Sequence, residues 1–170
     1  TMPLALHGVV AKKDGTVVNV NIGEAPTDPV FFISDLLIHL AQDQMQLTGT
    51  KLIDGENMDI VFGTQPLDED TENAVKANVL KLLKDKYDIE EDDFWSAEIE
   101  AVPSGRAREA GLDRSLILGY GHDDRSCAYT SAVALFEVDN PKTTTCGLFV
   151  DKEEIGSYGA TGMQSHFFED

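Results

Sequence analysis

Hydrophobic and polar positions alternate along residues 4–22, on either side of the segment Lys12-Lys13-Asp14-Gly15. An Asp-Gly pair between two such runs favours a tight turn, because glycine adopts a positive φ without steric cost. β-Branched valines dominate both runs, as is typical of strands. The pattern therefore predicts a β hairpin at the start of the chain.

Two helices and a strand are predicted to follow the hairpin. Ser34 can cap the first helix. Its apolar positions recur at helical spacing and are Ile33, Leu36, Leu37, Leu40 and Met45. A second helix is predicted to begin near Thr71, with Val75, Val79, Leu82 and Leu83 on one face. Residues 94–102 are typical of a strand, and the polar segment 104–108 is the best candidate for a domain boundary.

The remaining residues have the pattern of a βαβ unit. Apolar runs at residues 115–120 and 145–150 predict two strands, and the spacing of apolar residues over 128–138 predicts a helix between them. Strands joined in this way are expected to lie parallel, with a right-handed crossover. A two-stranded parallel unit leaves both of its faces uncovered, so we expect it to belong to a larger protein. The predicted fold class is an α+β domain followed by an incomplete α/β (βαβ) piece.

Composition and charge narrow the possible functions. The 170 residues are 42% hydrophobic and 26% charged, which is typical of a globular protein. Acidic residues outnumber basic ones 31 to 13, and the net charge of -18 would repel nucleic acid. No apolar run approaches the roughly 18 residues of a membrane span, and the first residues lack the features of a signal peptide. We therefore expect a cytoplasmic protein whose two cysteines, Cys127 and Cys146, are buried thiols.

Paired carboxylates follow both predicted strands of the βαβ unit. Asp123 and Asp124 come after the first strand, and Glu153 and Glu154 come after the second. Ligands bind beyond the carboxyl ends of strands in open parallel sheets, so both pairs are expected at one edge. Clustered carboxylates repel one another unless a cation lies among them, which favours a divalent metal. One acid of a pair could bind the metal while the other removes a proton from water. Two simpler interpretations stay open: Asp124 as a helix cap, and solvated glutamates in a loop.

These motifs also carry a resemblance to a known family. The segments 121–126, 151–157 and 162–165 resemble the M18 (aspartyl aminopeptidase-like) family of dinuclear zinc aminopeptidases. Residues 6–15 and 34–40 resemble the dimerization domain that this family inserts into its catalytic domain. The resemblance implies a dimerization domain at residues 1–106 and a partial catalytic domain at residues 107–170.

The resemblance also implies roles for individual residues. Asp123 would bridge two zinc ions, Glu154 would bind one of them, and Glu153 would be the general base. The family's other ligands are a histidine of an upstream His-x-Asp motif and, further downstream, an aspartate and a histidine. Because these motifs are absent from the 170 residues, the resemblance implies a central piece of a longer enzyme.

His39 has two interpretations. In the family, a histidine on a helix of the dimerization domain contacts substrate in the neighbouring subunit, although Ile38 stands where proline is common in relatives. The alternative is a histidine satisfied within its own helix. The partners that the resemblance implies are peptide substrates and further copies of the chain, in a dimer or a dimer-based dodecamer.

Three functions follow as hypotheses. The first is zinc-dependent removal of N-terminal residues from peptides, with this chain inactive by itself because it lacks several metal ligands. The second is a non-catalytic oligomerisation module of such an enzyme. The third, weaker than the others, is an acidic protein whose carboxylates buffer cations.

Overall fold

Short strands, 3-10 helices and two α helices make up the regular structure of residues 2–169. The computed structural model describes residues 2–169, which divide between two compact units, residues 1–118 and 119–170. The strands are β1 (Leu4–Ala11), β2 (Val17–Ile22), β3 (Phe32–Ile33), β4 (Ile60–Val61), β5 (Ala97–Pro103), β6 (Arg108–Ala110) and β7 (Leu116–Leu118). The helices are α1 (Ala74–Tyr87) and α2 (His122–Glu137).

The predicted N-terminal hairpin is confirmed. β1 and β2 pair antiparallel, with Ala11 opposite Val17 at the turn end. The N–H of Gly15 donates to the Lys12 carbonyl at 2.9 Å, and Gly15 takes a positive φ of 87°. The Asp14 carboxylate accepts hydrogen bonds from the Thr16 hydroxyl at 2.6 Å and from the Thr16 N–H at 2.9 Å, which close the turn and lower the pKa of that carboxyl group.

The core of the first unit lies on one face of a three-stranded sheet. β1 is the central strand, and β5 pairs antiparallel with its other edge, so the sheet order is β2-β1-β5. The buried apolar side chains of this core are Leu4, Leu6, Val10, Val20, Ile22, Phe31 and Ile89. Several of them alternate along β1 and β2, as expected for a sheet with one buried face.

The second predicted helix is confirmed as α1, and the first is wrong. α1 begins at Ala74 and ends at Tyr87, and the next residue, Asp88, adopts a left-handed conformation with a φ of 55°. Residues 34–45 form isolated turns and a short 3-10 helix at Gln44–Gln46. The Asp35 carboxylate accepts the N–H of Leu36 at 2.8 Å, a local bond that competes with helix formation.

The exposure of the apolar residues in segment 34–45 explains why their helical spacing is not sufficient to form a helix. Leu36, Leu37, Leu40 and Met45 are all exposed, so a helix here would have no surface on which to bury its apolar face. Most of the stability of a helix in a protein comes from that burial rather than from intrinsic propensity.

The predicted strand at 94–102 is confirmed in position but begins later. Phe94 belongs to a 3-10 helix at Glu91–Ser96, and β5 starts at Ala97. A capping box joins Glu90 and Asp93 at the start of the 3-10 helix, because each side chain accepts the other residue's backbone N–H. The acidic residues at this position therefore stabilise a helical turn in place of the first part of the strand.

The predicted parallel βαβ arrangement is wrong. β7 confirms a strand within residues 115–120, but it pairs antiparallel with β6, with Glu109 opposite Ile117. Residues 145–150 form no strand, because their backbone makes no ladder with another segment of the described chain. The helix between them is confirmed as α2, which starts six residues earlier than the pattern predicted. None of the helices within residues 2–169 is long and apolar enough to cross a membrane.

The domains 1–106 and 107–170 were proposed from the family resemblance, whereas the compact units are defined by contacts within the structure. The structural division falls after Leu118, because the β6–β7 hairpin groups with the first unit. The boundary at residue 106 therefore stays a prediction. The coarse fold class is confirmed as a small α+β structure with open sheets.

Candidate metal and catalytic residues

The two aspartates lie at the start of α2. Gly121 precedes them in a left-handed conformation, with φ 81° and ψ 24°. Asp123 has φ -88° and ψ 114°, and Asp124 has φ -114° and ψ 26°, so neither has helical dihedral angles. The peptide bond between them is cis. Both side chains are exposed, in the first turn of the helix.

Cys127 contacts the aspartate pair one turn further along. The interaction with the Asp124 carboxylate raises the pKa of the Cys127 thiol, and the negative charge of both aspartates raises it further. Cys127 and Cys146 are free but exposed, so the prediction that both are buried is wrong. The reason is that the apolar segments carrying them cover no core within the described part of the second unit.

The two glutamates lie in a tight turn of the same unit. Glu153 and Glu154 begin a short 3-10 helix, Glu153–Ile155, between left-handed residues at Lys152 and Gly156. The N–H of Gly156 donates to the Glu153 carbonyl at 2.9 Å, and the N–H of Ser157 donates to the Lys152 carbonyl at 2.7 Å. These bonds hold the backbone of the turn while both glutamate side chains stay exposed.

A second segment of the sequence motif supports this turn. The Gln164 side-chain amide donates to the Gly156 carbonyl at 2.6 Å, and the Gln164 N–H donates to the Ser157 carbonyl at 3.3 Å. A Cβ added at Gly162 would lie 2.1 Å from the Ser157 carbonyl oxygen, so only glycine fits there. The sequence pattern by itself predicted no role for Gln164. The signal that could have indicated one is its position shortly after the Glu-Glu-x-Gly-Ser run.

The carboxylates fit zinc in ligand type but are too few for a complete site. Carboxylate oxygens are common zinc ligands, and zinc is usually held by three or four protein side chains. Asp123 and Glu154 would supply two. No group of three or more His, Cys, Asp or Glu side chains within residues 2–169 is arranged to hold a metal ion. The remaining ligands would have to come from elsewhere in a longer polypeptide or assembly.

His39 belongs to the first unit, whereas the carboxylates belong to the second. It lies in a turn where the N–H of Leu40 donates to the Leu37 carbonyl at 2.9 Å, and its side chain is exposed. The helix that was expected to carry His39 is absent. The interpretation of His39 as a histidine satisfied within a helix loses its basis, and its contact with substrate stays a prediction.

Comparison with known proteins identifies the family of these motifs. The chain belongs to the aminopeptidase I zinc metalloprotease (M18) family, whose model matches residues 1–170. It is 56% identical over 170 residues to a probable M18 family aminopeptidase 1 of Clostridium acetobutylicum, covering 99% of this chain and 37% of that protein. A protein of the same description from Thermotoga maritima is 48% identical over 168 residues, with 99% and 37% covered.

Solved structures give the same result. The crystal structure of aminopeptidase I from Clostridium acetobutylicum matches with a TM-score of 0.82 at 56% identity, over 100% of this chain and 38% of that one. An M18 family aminopeptidase from Thermotoga maritima matches with a TM-score of 0.82 at 49% identity, over 99% and 37%. The chain thus spans about 37% of the length of the curated relatives it matches.

Proposed function

We propose that this chain is part of a zinc-dependent aminopeptidase that removes N-terminal residues from peptides. The observation that carries the proposal is the match of the M18 zinc metalloprotease family to all 170 residues. The carboxylates that the family resemblance selects, Asp123, Glu153 and Glu154, all lie in the compact unit 119–170 and are exposed. Their side chains are therefore open to a metal ion and to substrate.

Each carboxylate has a separate proposed role. Asp123 and Glu154 would hold zinc through their carboxylate oxygens, Asp123 as a ligand shared by two ions and Glu154 as a ligand of one. Zinc, when bound, supplies a Lewis acid that lowers the pKa of water. Glu153 accepts the proton of the attacking water on its carboxylate and does not bind the metal. Adjacent residues can divide the work in this way, because side chains next to each other in a turn point in different directions.

The complete centre is proposed to need more of the polypeptide than these 170 residues. Two zinc ions per subunit require more ligands than Asp123 and Glu154 provide. The missing ligands are the upstream histidine, the downstream aspartate and the downstream histidine of the family pattern. The chain's coverage of about 37% of its relatives leaves room for all of them.

Self-association is the proposed role of residues 1–106, in a dimer or a dimer-based dodecamer. This segment contains the sheet and the buried core of the first unit. It also exposes a run of large apolar side chains at Leu36, Leu37, Ile38 and Leu40, which a second subunit could cover. His39 lies within that run and is proposed to contact substrate in the neighbouring subunit. We place the enzyme in the cytoplasm.

Zinc analysis and a peptidase assay of the 170-residue chain, beside the longer protein that contains it, test the proposal. The longer protein should hold about two zinc ions per subunit and release N-terminal residues. The isolated chain should do neither, because zinc needs three or four well-placed donors to be held firmly. A longer protein that binds zinc but cleaves no peptide would contradict the proposed activity.

A non-catalytic oligomerisation module is the second candidate. It is favoured by the incomplete ligand set within residues 2–169 and by the separate core of the first unit. Sedimentation of the 170-residue chain tests this candidate. Stable dimers of a chain that binds no zinc and cleaves no peptide, beside an active longer protein, would show that these residues by themselves serve assembly.

A further inference from the structure

The backbone of Asp123 does not have the dihedral angles of an α helix. An α helix fixes each residue through helical dihedral angles and N–H to carbonyl bonds four residues apart. Asp123 and Asp124 depart from helical angles, since their ψ values are 114° and 26°. Regular helix geometry alone therefore does not set the direction in which the Asp123 carboxylate points.

Side chains of the following turn fold back over this irregular segment. The Ser126 hydroxyl donates to the His122 carbonyl at 3.1 Å, a bond that spans both aspartates. The Arg125 guanidinium lies over Gly121, so closely that a Cβ added there would be 3.4 Å from Arg125 Cζ.

We propose that Ser126 is a positioning residue for Asp123, through the hydrogen bond by which its hydroxyl joins the next turn to the His122 carbonyl. The inference rests on the proposed function, in which Asp123 binds zinc. Ser126 itself touches neither metal nor substrate. Its bond limits the rotation of the His122-Asp123 backbone, and so it orients the carboxylate before a metal ion arrives.

The physical reason for an effect on zinc is preorganisation. A metal site binds tightly when its ligands already point toward the ion, since little conformational entropy is then lost on binding. Groups that orient the ligands typically change metal affinity about 10- to 100-fold when they are removed. Because Ser126 is exposed and its hydrogen bond is long, we expect the lower end of that range.

Thr130 is a matched control on the same helix. Its hydroxyl also donates to backbone carbonyls, to Cys127 at 3.0 Å and to Ser126 at 3.3 Å. These carbonyls belong to the regular part of α2, so Thr130 makes the same kind of bond without spanning the aspartates. Thr130→Ala should therefore report any general effect of removing a hydroxyl from this helix.

The first measurement uses the 170-residue chain and no metal. Backbone ¹⁵N order parameters of Asp123 should be near about 0.85 in the wild type and fall toward about 0.6 in Ser126→Ala. Ser126→Thr, which keeps the hydroxyl, should retain the wild-type value. Thr130→Ala should also leave the order parameter of Asp123 unchanged.

The second measurement is zinc affinity of the longer protein, by competition with a chelator. Ser126→Ala should weaken binding about tenfold, and both Ser126→Thr and Thr130→Ala should bind as the wild type does. Equal zinc affinity in Ser126→Ala and wild type would overturn the inference, as would an equal loss in Thr130→Ala. A wild type that binds no zinc would overturn the proposed function, while the order parameters would still decide whether Ser126 fixes Asp123.

Discussion

Lys12 and Asp88, 76 residues apart in the chain, are joined by two hydrogen bonds. The Lys12 ammonium donates to the Asp88 carboxylate and to the Asp88 carbonyl, both at 2.6 Å. Lys12 lies at the turn of the N-terminal hairpin, and Asp88 caps the C-terminal end of α1 in a left-handed conformation. The contact therefore joins the end of the helix to the hairpin and satisfies a carbonyl that the helix itself cannot pair.

Replacing Asp88 with asparagine tests this connection. Asparagine tolerates the left-handed conformation, so the substitution removes the charge and leaves the backbone unstrained. We expect Asp88→Asn to lower the urea midpoint of unfolding of the 170-residue chain. Asp85→Asn is the control, because Asp85 pairs with Lys81 one turn earlier in the same helix, and such exposed pairs stabilise little. Equal effects of the two substitutions would contradict a special role for Asp88.

The same contact predicts a pH dependence. Hydrogen bonds from Lys12 and Lys84 lower the pKa of Asp88 from 3.8 to about 2 in the folded chain. A lowered carboxyl pKa contributes stability that is complete above the unfolded pKa and is lost as the pH falls through the folded one. Stability should therefore decline between about pH 4 and pH 2, with a smaller decline in Asp88→Asn. Urea midpoints measured at several pH values in that range check the difference.

Ile89 provides a prediction about the core. Its side chain is 1% exposed, and it packs with the buried residues of the sheet immediately after α1. Ile89→Ala should lower the free energy of unfolding by about 2–5 kcal/mol, because it removes buried methyl groups and leaves a cavity. Ile38 is the matched control, since it is 67% exposed and its replacement by alanine should change stability by less than about 0.5 kcal/mol. A large loss of unfolding free energy in Ile38→Ala would support the packed helix that the sequence predicted at residues 34–45.

The contrast between α1 and segment 34–45 shows how far the sequence can predict this fold. Both have apolar residues at helical spacing, but only α1 forms, and it leads directly into the buried Ile89. The hairpin was predictable because its turn chemistry and its alternation are local. The structure of segment 145–150 was not predictable in this way, because a strand requires a hydrogen-bonding partner for its backbone. The sequence pattern of one strand does not reveal whether that partner is present.

The candidate site was predictable in its residue types and not in its arrangement. The acid pairs that begin at Asp123 and Glu153 were recognisable as motifs. The sequence pattern, however, predicted that both lie at the edge of a parallel sheet. The structure instead places them in irregular turns, one at the start of α2 and the other in the Glu153–Ile155 helix. The supporting bonds of Ser126 and Gln164 depend on backbone geometry that no spacing rule supplies.

Substitution of the two glutamates in the longer protein tests their separate roles. Glu153→Gln should lower turnover by about 10²–10⁴, the usual contribution of a general base, while zinc content stays near normal. Glu154→Gln should lower zinc content, because a ligand is lost. Asp123→Asn should reduce both zinc content and turnover, since one carboxylate would serve two ions. Zinc analysis beside a peptidase assay measures both; loss of metal in Glu153→Gln with retention in Glu154→Gln would reverse the assignment of the pair.

His39 predicts an effect that crosses between subunits. If its imidazole contacts substrate bound by a neighbouring copy, His39→Phe in the longer protein should leave zinc content and oligomer size unchanged. Peptidase turnover should fall about 10²–10³, as for the loss of one hydrogen bond made in the transition state. Phenylalanine keeps an aromatic ring and removes the nitrogen atoms. Because His39 is exposed, the substitution should not disturb folding, and a loss of activity would reflect the lost contact. Unchanged turnover would contradict the proposed contact.

Mixed oligomers separate a contact between subunits from one within a subunit. A Glu153→Gln subunit and a His39→Phe subunit are each expected to have strongly reduced turnover alone. In a mixed dimer, the His39→Phe subunit keeps an intact Glu153, and the Glu153→Gln partner supplies an intact His39 to it, so one site of the two has both residues. Activity should therefore recover to as much as about half of the wild-type value per mixed dimer if each site works independently of the other. Mixed dimers that are verified by differently sized tags and remain inactive would place His39 in the site of its own subunit or outside the reaction.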